Sequence, residues 1–98
     1  MKYVLSNWKM YVGRSRAPEL LDGVQAGLQE RFPSGALPVS VVLCPSFVSL
    51  EPLHAMIDPR LVRLGAQDCH PEPEGPFTGA VSAPMLRGLF DYVMVGHS

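Results

Sequence analysis

Four polar side chains closely follow short apolar runs, and they comprise two amides, an ammonium and an imidazole: Asn7, Lys9, Gln67 and His97. An ammonium attracts negative charge, and an imidazole can donate or accept a proton near neutral pH. Short apolar runs are typical of strands in a parallel sheet. Since the carboxyl ends of parallel strands lie on one rim, the spacing predicts that these residues meet there as a candidate catalytic site.

Three of these residues also have an ordinary structural interpretation. Lys9 could be a solvated surface residue, Asn7 could cap a turn, and His97 could open a surface loop. Asn7 and Lys9 are two residues apart, so extended backbone would point both to the same side, where they could hold an anion. The shared position of all the candidates at strand ends favours the functional interpretation.

The elements that would position these residues alternate between strands and helices. Apolar runs predict strands at 3–5, 39–43, 61–66 and 92–95, the second and the last of them buried on both faces. Apolar residues at helical spacing predict three helices between them, capped by Ser15, Ser49 and Ser82. The predicted buried stripes are Leu20, Leu21, Val24 and Leu28; Leu50, Leu53, Met56 and Ile57; and Met85, Leu86, Leu89 and Phe90. This alternation predicts an α/β fold with a parallel sheet.

Composition excludes several classes of function. The chain has 98 residues, a formal net charge of −1 and no basic run, so neither nucleic acid nor a membrane is an expected partner. The absence of a signal-peptide pattern favours a cytoplasmic protein. Cys44 and Cys69 are expected to be free thiols, since they are far apart in sequence. The group Cys69, His70, Glu72 and Glu74 lacks a recognised ligand spacing, so no metal is expected.

Four short motifs resemble those of the triosephosphate isomerase family. They are Asn-Trp-Lys-Met at 7–10, Gly-Ala-Gln-Asp at 65–68, Phe-Thr-Gly at 77–79 and Val-Gly-His-Ser at 95–98, in that family's order and spacing. The resemblance implies the first half, βαβαβαβ, of a (β/α)8 TIM barrel with parallel strands. Residues 1–98 would then be the amino-terminal half of a TIM-barrel domain that is incomplete at its carboxyl end.

The resemblance also implies a role for each candidate residue, and no cofactor. Lys9 would lie near the developing negative charge of the substrate, and Asn7 would orient both Lys9 and the substrate. His97 would be the electrophile that donates a hydrogen bond to the carbonyl and enediolate oxygens, a role for which this family's enzyme is itself the standard example. Gln67 would pack beneath the site. Thr78 would reach into the partner subunit of a homodimer formed through the Phe-Thr-Gly motif.

The implied reaction interconverts dihydroxyacetone phosphate and D-glyceraldehyde 3-phosphate through an enediolate, in glycolysis and gluconeogenesis. The family's glutamate base, lid and phosphate-binding loops belong to the other half of the barrel, so these residues alone are expected to be inactive. Ala80 replaces the family's glutamate after Phe-Thr-Gly, which removes a supporting charge pair. Tyr11 replaces an asparagine and is expected to affect loop packing only.

Two other interpretations stay open. The chain could be a half-barrel module that only binds, by self-association or by pairing with a separate carboxyl-terminal half, because its first and last strands would be bare sheet edges. It could also be part of a longer gene product, which an intact mass of the source material would show.

Overall fold

The computed structural model describes residues 1–97, and its centre is one parallel sheet of four strands in chain order. The strands are β1 at Tyr3–Asn7, β2 at Ser40–Cys44, β3 at Arg63–Ala66 and β4 at Tyr92–Val93. The helices are α1 at Ala17–Arg31, between β1 and β2, and α2 at Phe47–His54, between β2 and β3; a 3₁₀ turn at Pro84–Leu86 precedes β4. The predicted parallel α/β architecture is therefore confirmed.

Strand register brings the carboxyl ends of the four strands to one rim. Asn7 pairs with Cys44 at the ends of β1 and β2, and Ala66 pairs with Val93 at the ends of β3 and β4. A bond from Met94 N to Ala66 O (2.9 Å) continues the ladder past β4. Residues that follow these strands therefore leave the sheet at the same rim.

The buried core is built on the central strands and the two helices. Val42 and Leu43 of β2 are 0% and 3% exposed, and because successive side chains point to opposite faces, β2 is covered on both faces as predicted. Helices α1 and α2 contribute Leu21, Leu50 and Leu53, each 0% exposed. Burying one leucine side chain is worth about 1.5–3 kcal/mol, so these contacts hold the helices against the sheet.

Strands β1 and β4 form the edges of the described sheet, and both are exposed. Tyr3, Val4 and Leu5 of β1 are 51%, 52% and 61% exposed. Tyr92 and Val93 of β4 are 36% and 37% exposed, so the prediction that this strand is buried on both faces is wrong. The physical reason is position, since an edge strand has a neighbour on one side only and packs against less of the core.

The sheet is curved enough to bring side chains from its two edges into contact. The rings of Tyr3 and Tyr92 lie 5.9 Å apart at 75°, an edge-to-face pair between the first and the last strand. Strands β2 and β3 lie between them. A flat sheet would separate β1 from β4 by about 14 Å, three strand spacings, so the contact indicates strong curvature.

The start of α1 differs from the prediction. Arg16 is the N-cap of α1, and Ser15 is not. Gly13 O accepts the backbone N–H groups of Arg16 and Ala17 at 3.1 Å each. Because this backbone turn already provides an acceptor for the first N–H groups, the helix begins without a side-chain cap.

Helix α2 has a different N-cap from the predicted Ser49, and it ends before Met56 and Ile57, which belong to the predicted stripe. Ser46 is its N-cap, so Ser49 lies inside the helix. The helix ends at His54, and Met56 N then donates to Leu53 O at 2.9 Å, which closes the last turn. The earlier start leaves the Ser49 hydroxyl buried instead of capping.

The third predicted helix does not form. The turn Pro84–Leu86 has Ala83 as its N-cap, not Ser82. Arg87 has extended backbone (φ −54°, ψ 129°), and Gly88 follows with a φ of 84°. Glycine adopts that left-handed conformation without steric cost, so the chain turns away where a helix would continue.

The predicted buried stripes are confirmed in part. Leu86 is 5% exposed as predicted, whereas Leu20 and Met85 are 40% and 63% exposed and were wrongly predicted to be buried. The remaining predicted residues outside the fully buried set pack partly buried against the core: Val24, Leu28, Met56, Ile57, Leu89 and Phe90. Leu20 lies on the outer side of α1. Met85 is exposed because the chain forms a short 3₁₀ turn at Pro84–Leu86 in place of the predicted helix.

Ser49→Ala is expected to stabilise the fold by about 1 kcal/mol. Ser49 is 0% exposed and its Oγ has no hydrogen-bond partner among the described residues, so the substitution removes an unpaired buried hydroxyl and adds helix propensity. Urea unfolding measures the change. Ser46→Ala is the control, because the Ser46 side chain makes no capping bond and its loss should be nearly neutral. A destabilised Ser49→Ala variant would contradict the prediction.

Candidate active site

The end of β1 is a tight turn closed by an asparagine. The Oδ1 atom of Asn7 accepts a hydrogen bond from Lys9 N at 2.9 Å. Lys9 has a φ of 54°, in the left-handed region, so the predicted extended backbone between Asn7 and Lys9 is wrong. A non-glycine residue in that region costs about 1–2 kcal/mol, and it persists only where neighbouring contacts hold it. The turn leaves the Lys9 side chain exposed at the rim.

The amide of Gln67, at the end of β3, holds this turn. Its Nε2 donates to Lys9 O at 2.8 Å and to Cys44 O at 2.9 Å. Trp8 N donates to the same Cys44 carbonyl at 3.0 Å, and Trp8 is only 7% exposed. One side chain from β3 therefore ties the ends of β1 and β2 together.

His97 leaves the sheet at the same rim. It follows β4, and Gly96, with a φ of 67°, turns the backbone just before it. Its side chain is exposed. Lys9, Gln67 and His97 thus all follow the carboxyl ends of parallel strands, as the spacing predicts, while the last residue of this motif, Ser98, lies outside the described residues.

Cys44, at the end of β2, is a packing residue. It is 2% exposed, and burial raises the pKa of its thiol. A thiol held in its protonated form is a poor nucleophile. The backbone carbonyl of Cys44 contributes to the rim instead, because it accepts hydrogen bonds from Trp8 and Gln67.

We expect iodoacetamide to modify Cys69 at least about tenfold faster than Cys44 in the folded chain at mildly alkaline pH. Cys69 is half-buried, whereas the thiol of Cys44 is buried and has a raised pKa. Peptide mass spectrometry at successive times measures both rates. In concentrated urea the two rates should become similar, and equal rates in the folded chain would contradict the prediction.

The segment 70–80, named here the 70–80 loop, is closed at its base and exposed along its length. His70 N donates to Val81 O at 2.7 Å, and His70 also pairs with Ser82 in an isolated parallel bridge. Residues from 71 onward in the loop are exposed, including Phe77 at 43%. Thr78 lies in an exposed turn beside Phe77, and its predicted contact with a partner subunit stays a prediction.

The sequence indicates His70 only as a poor metal ligand, and the contacts that His70 makes within this loop were not predicted. Its Nδ1 accepts a bond from Glu72 N at 3.0 Å, and its ring stacks on Phe77 with centroids 4.0 Å apart. These contacts could have been predicted from spacing, because the imidazole acceptor of His70 stands two residues before the N–H of Glu72. Asparagine side chains form turns at the same spacing.

Neither a metal-ligand cluster nor a membrane-spanning helix is found in the described part of the chain. Residues 1–97 contain no group of three or more His, Cys, Asp or Glu side chains that could hold a metal ion. In the same residues no helix combines the length and the apolar character that crossing a membrane requires.

Comparison with known proteins decides the family. The family described as Triosephosphate isomerase matches residues 2–98. The chain belongs to the triosephosphate isomerase family. The triosephosphate isomerase of Roseiflexus castenholzii is 43% identical over 93 residues, and those of Trichodesmium erythraeum and Chloroflexus aurantiacus are 39% identical over 100 and 38% over 96. These alignments cover 94%, 97% and 97% of this chain but only 35%, 38% and 36% of the relatives.

The chain therefore spans about a third of the length of the triosephosphate isomerases that it matches. Membership of the triosephosphate isomerase family confirms the resemblance carried by the four motifs. It also identifies the curved parallel sheet as the first half of the family's TIM barrel.

Proposed function

We propose that this chain supplies one part of the active site of a triosephosphate isomerase, which interconverts dihydroxyacetone phosphate and D-glyceraldehyde 3-phosphate through an enediolate in glycolysis and gluconeogenesis. The observation that carries the proposal is the Gln67 amide, which fixes the Lys9 turn at the rim where His97 leaves the sheet. Family membership supports the substrate, a phosphorylated triose.

Each rim residue has a distinct role in the proposal. The ammonium of Lys9 is exposed and stabilises the negative charge that develops on the substrate oxygen. Asn7 holds the turn that presents Lys9, since its Oδ1 accepts the Lys9 N–H. His97 donates a hydrogen bond to the carbonyl oxygen and then to the enediolate. A neutral imidazole can act in this way because one of its nitrogens still carries a proton.

The 98 residues by themselves are proposed to be inactive. The rim holds an ammonium, two amides and an imidazole, and the motifs do not provide the family's glutamate base or its phosphate-binding loops. Without a base there is no group to remove the substrate proton, and without a phosphate site the substrate is not positioned.

A chimera tests the proposal. Residues 1–98 replace the matching segment of the Roseiflexus castenholzii enzyme, which is 43% identical to this chain over 93 residues. We expect the chimera to catalyse the isomerisation in a coupled assay and the 98-residue chain alone to show none. A folded but inactive chimera would refute the proposed site, and turnover by the chain alone would refute the need for a base from elsewhere.

We also propose a homodimer that forms through residues 77–79. The segment 68–80 carries three carboxylates, Asp68, Glu72 and Glu74, and no Lys or Arg. The segment 8–16 carries Lys9, Arg14 and Arg16 and no Asp or Glu. Opposite charges on two loops favour their association between copies, and Phe77 together with Met10, 96% exposed, provides apolar surface for it.

A second function, a half-barrel module that assembles without catalysis, is favoured by the exposed edge strands. Tyr3, Val4 and Leu5 expose apolar surface on β1, and β1 and β4 each have an unpaired backbone edge in the described sheet. Such edges pair with other strands. Light scattering on the wild type and on Leu5→Lys tests this function. A monomeric wild type would exclude it, and a smaller assembly in the variant would support it.

A further inference from the structure

His70 makes three contacts that fix the shape of the 70–80 loop. Its backbone N–H donates to Val81 O at 2.7 Å, which joins the two ends of the loop. Its Nδ1 accepts a bond from Glu72 N at 3.0 Å. Its ring stacks on Phe77 with centroids 4.0 Å apart and planes at 30°. A single residue thus links the base of the loop to the apolar side chain next to Thr78.

The bond at Nδ1 requires a neutral imidazole. Nδ1 accepts a hydrogen bond only while it carries no proton, so the proton of the neutral ring is on Nε2. A protonated ring would direct a second N–H at the N–H of Glu72, and the bond would be lost. Pro73 follows Glu72 and restricts the Glu72 backbone to extended conformations, which limits how far this N–H can turn toward another acceptor.

The surroundings of His70 offer the protonated ring another position. Glu72 and Glu74 are the charged residues that line the recess beside the ring, and Ser82 and Met85, from the segment packed against the loop, are uncharged. The negative charge of these two carboxylates would attract a positively charged ring. Protonation therefore exchanges the bond to Glu72 N for attraction into the recess.

We propose that His70 is a pH-sensitive clasp of the 70–80 loop: the neutral ring holds the loop in the described shape, and protonation releases it. The inference rests on the proposed function in one respect, since release would weaken the docking of residues 77–79 on a second copy. Histidine is the side chain that most often changes charge near neutral pH, which is the range that a titration of the clasp must cover.

Two variants separate the hydrogen bond from the stacking. His70→Asn keeps an acceptor that reaches the N–H two residues on, but this acceptor does not titrate. His70→Phe keeps an aromatic ring for Phe77 and has no acceptor. The dispersion of each variant's amide spectrum shows whether it is folded, and the wild-type titration alone decides the proposal if neither variant folds.

The first measurement follows the clasp itself in the 98-residue chain. Nuclear magnetic resonance records the amide proton of Glu72 and the ring carbons of His70 from pH 8 to pH 5. We expect both signals to change with one midpoint, and the exchange protection of the Glu72 amide to fall about 2- to 10-fold, the loss of one hydrogen bond. The Glu72 signal should not titrate with that midpoint in His70→Asn. A Glu72 amide that ignores the His70 titration, or follows the same titration in His70→Asn, overturns the inference.

The second measurement follows docking by light scattering over the same pH range. We expect the wild-type dimer to weaken as pH falls and the dimer of His70→Asn to change less. If the Glu72 amide titrates with His70 but the chain is monomeric at every pH, the clasp stands and the proposed dimer loop is refuted. If the dimer weakens with pH while the amide does not titrate, the dimer stands and the clasp is refuted.

Discussion

His97→Gln is expected to lower kcat of the chimera by about 10²- to 10³-fold, the usual effect of losing one donor to a developing oxyanion. Glutamine keeps an N–H donor, but its flexible side chain does not hold that donor where the imidazole N–H would meet the substrate oxygen. Since His97 is exposed at the end of β4 and is not part of the core, the loss should come from chemistry and not from unfolding. Steady-state kinetics with dihydroxyacetone phosphate measure kcat and KM separately.

The chain contains a matched control for this substitution. His54 ends α2 and is also exposed, but it is not on the carboxyl rim of the sheet. His54→Gln should leave kcat unchanged within about twofold, because a surface substitution typically changes stability by less than about 0.5 kcal/mol. Equal losses in the two variants would show that His97 has no special role. A selective rise of KM in His97→Gln, with normal kcat, would assign it to binding only.

Gly65→Ala is expected to destabilise the fold by about 1–3 kcal/mol, the usual cost of an added group in a tightly packed core. A Cβ on Gly65 would lie 2.7 Å from the Sγ of Cys44 and 3.3 Å from Cγ1 of Val42. Both neighbours are buried, so neither side chain can move into solvent. Urea unfolding of the wild type and the variant measures the difference in free energy.

Two further variants test the cause of this destabilisation. Gly23→Ala in α1 adds the same methyl group where nothing lies within 4 Å, and it should stabilise the helix by about 0.5–1 kcal/mol. Cys44→Ala removes the sulfur that the new methyl would strike. The double variant Gly65→Ala/Cys44→Ala should therefore lose less than the sum of the single variants. Strict additivity would mean that the clash is not the cause.

The strand order and the rim could be predicted from sequence because they depend on strong, repeated signals. Apolar runs alternate with segments of helical spacing. Crossovers between parallel strands then place the carboxyl ends of all the strands on one rim of the sheet. The bounds of β2 and β3 shift by one or two residues from the prediction, the ordinary error for element ends. The buried pair Leu50 and Leu53 follows directly from helical periodicity.

Two of the failed predictions have a different cause, because they depend on contacts distant in sequence or on backbone turns. The left-handed φ of Lys9 is held by Asn7 and by Gln67, and no local pattern around residue 9 indicates the second of these. The third helix stops because Arg87 and Gly88 turn the chain, which outweighs the helical spacing of the apolar residues around them. The candidate roles of Lys9 and His97 stay predictions.

The two bonds of the Gln67 amide have a consequence for motion. Exposed turns usually fluctuate independently of the sheet beside them, but the carbonyl of residue 9 is attached to a side chain that extends from β3. Movement of the Lys9 backbone away from the sheet should therefore require local unfolding at the end of β3. Hydrogen exchange that released this turn well before β3 would show that the two are mechanically independent.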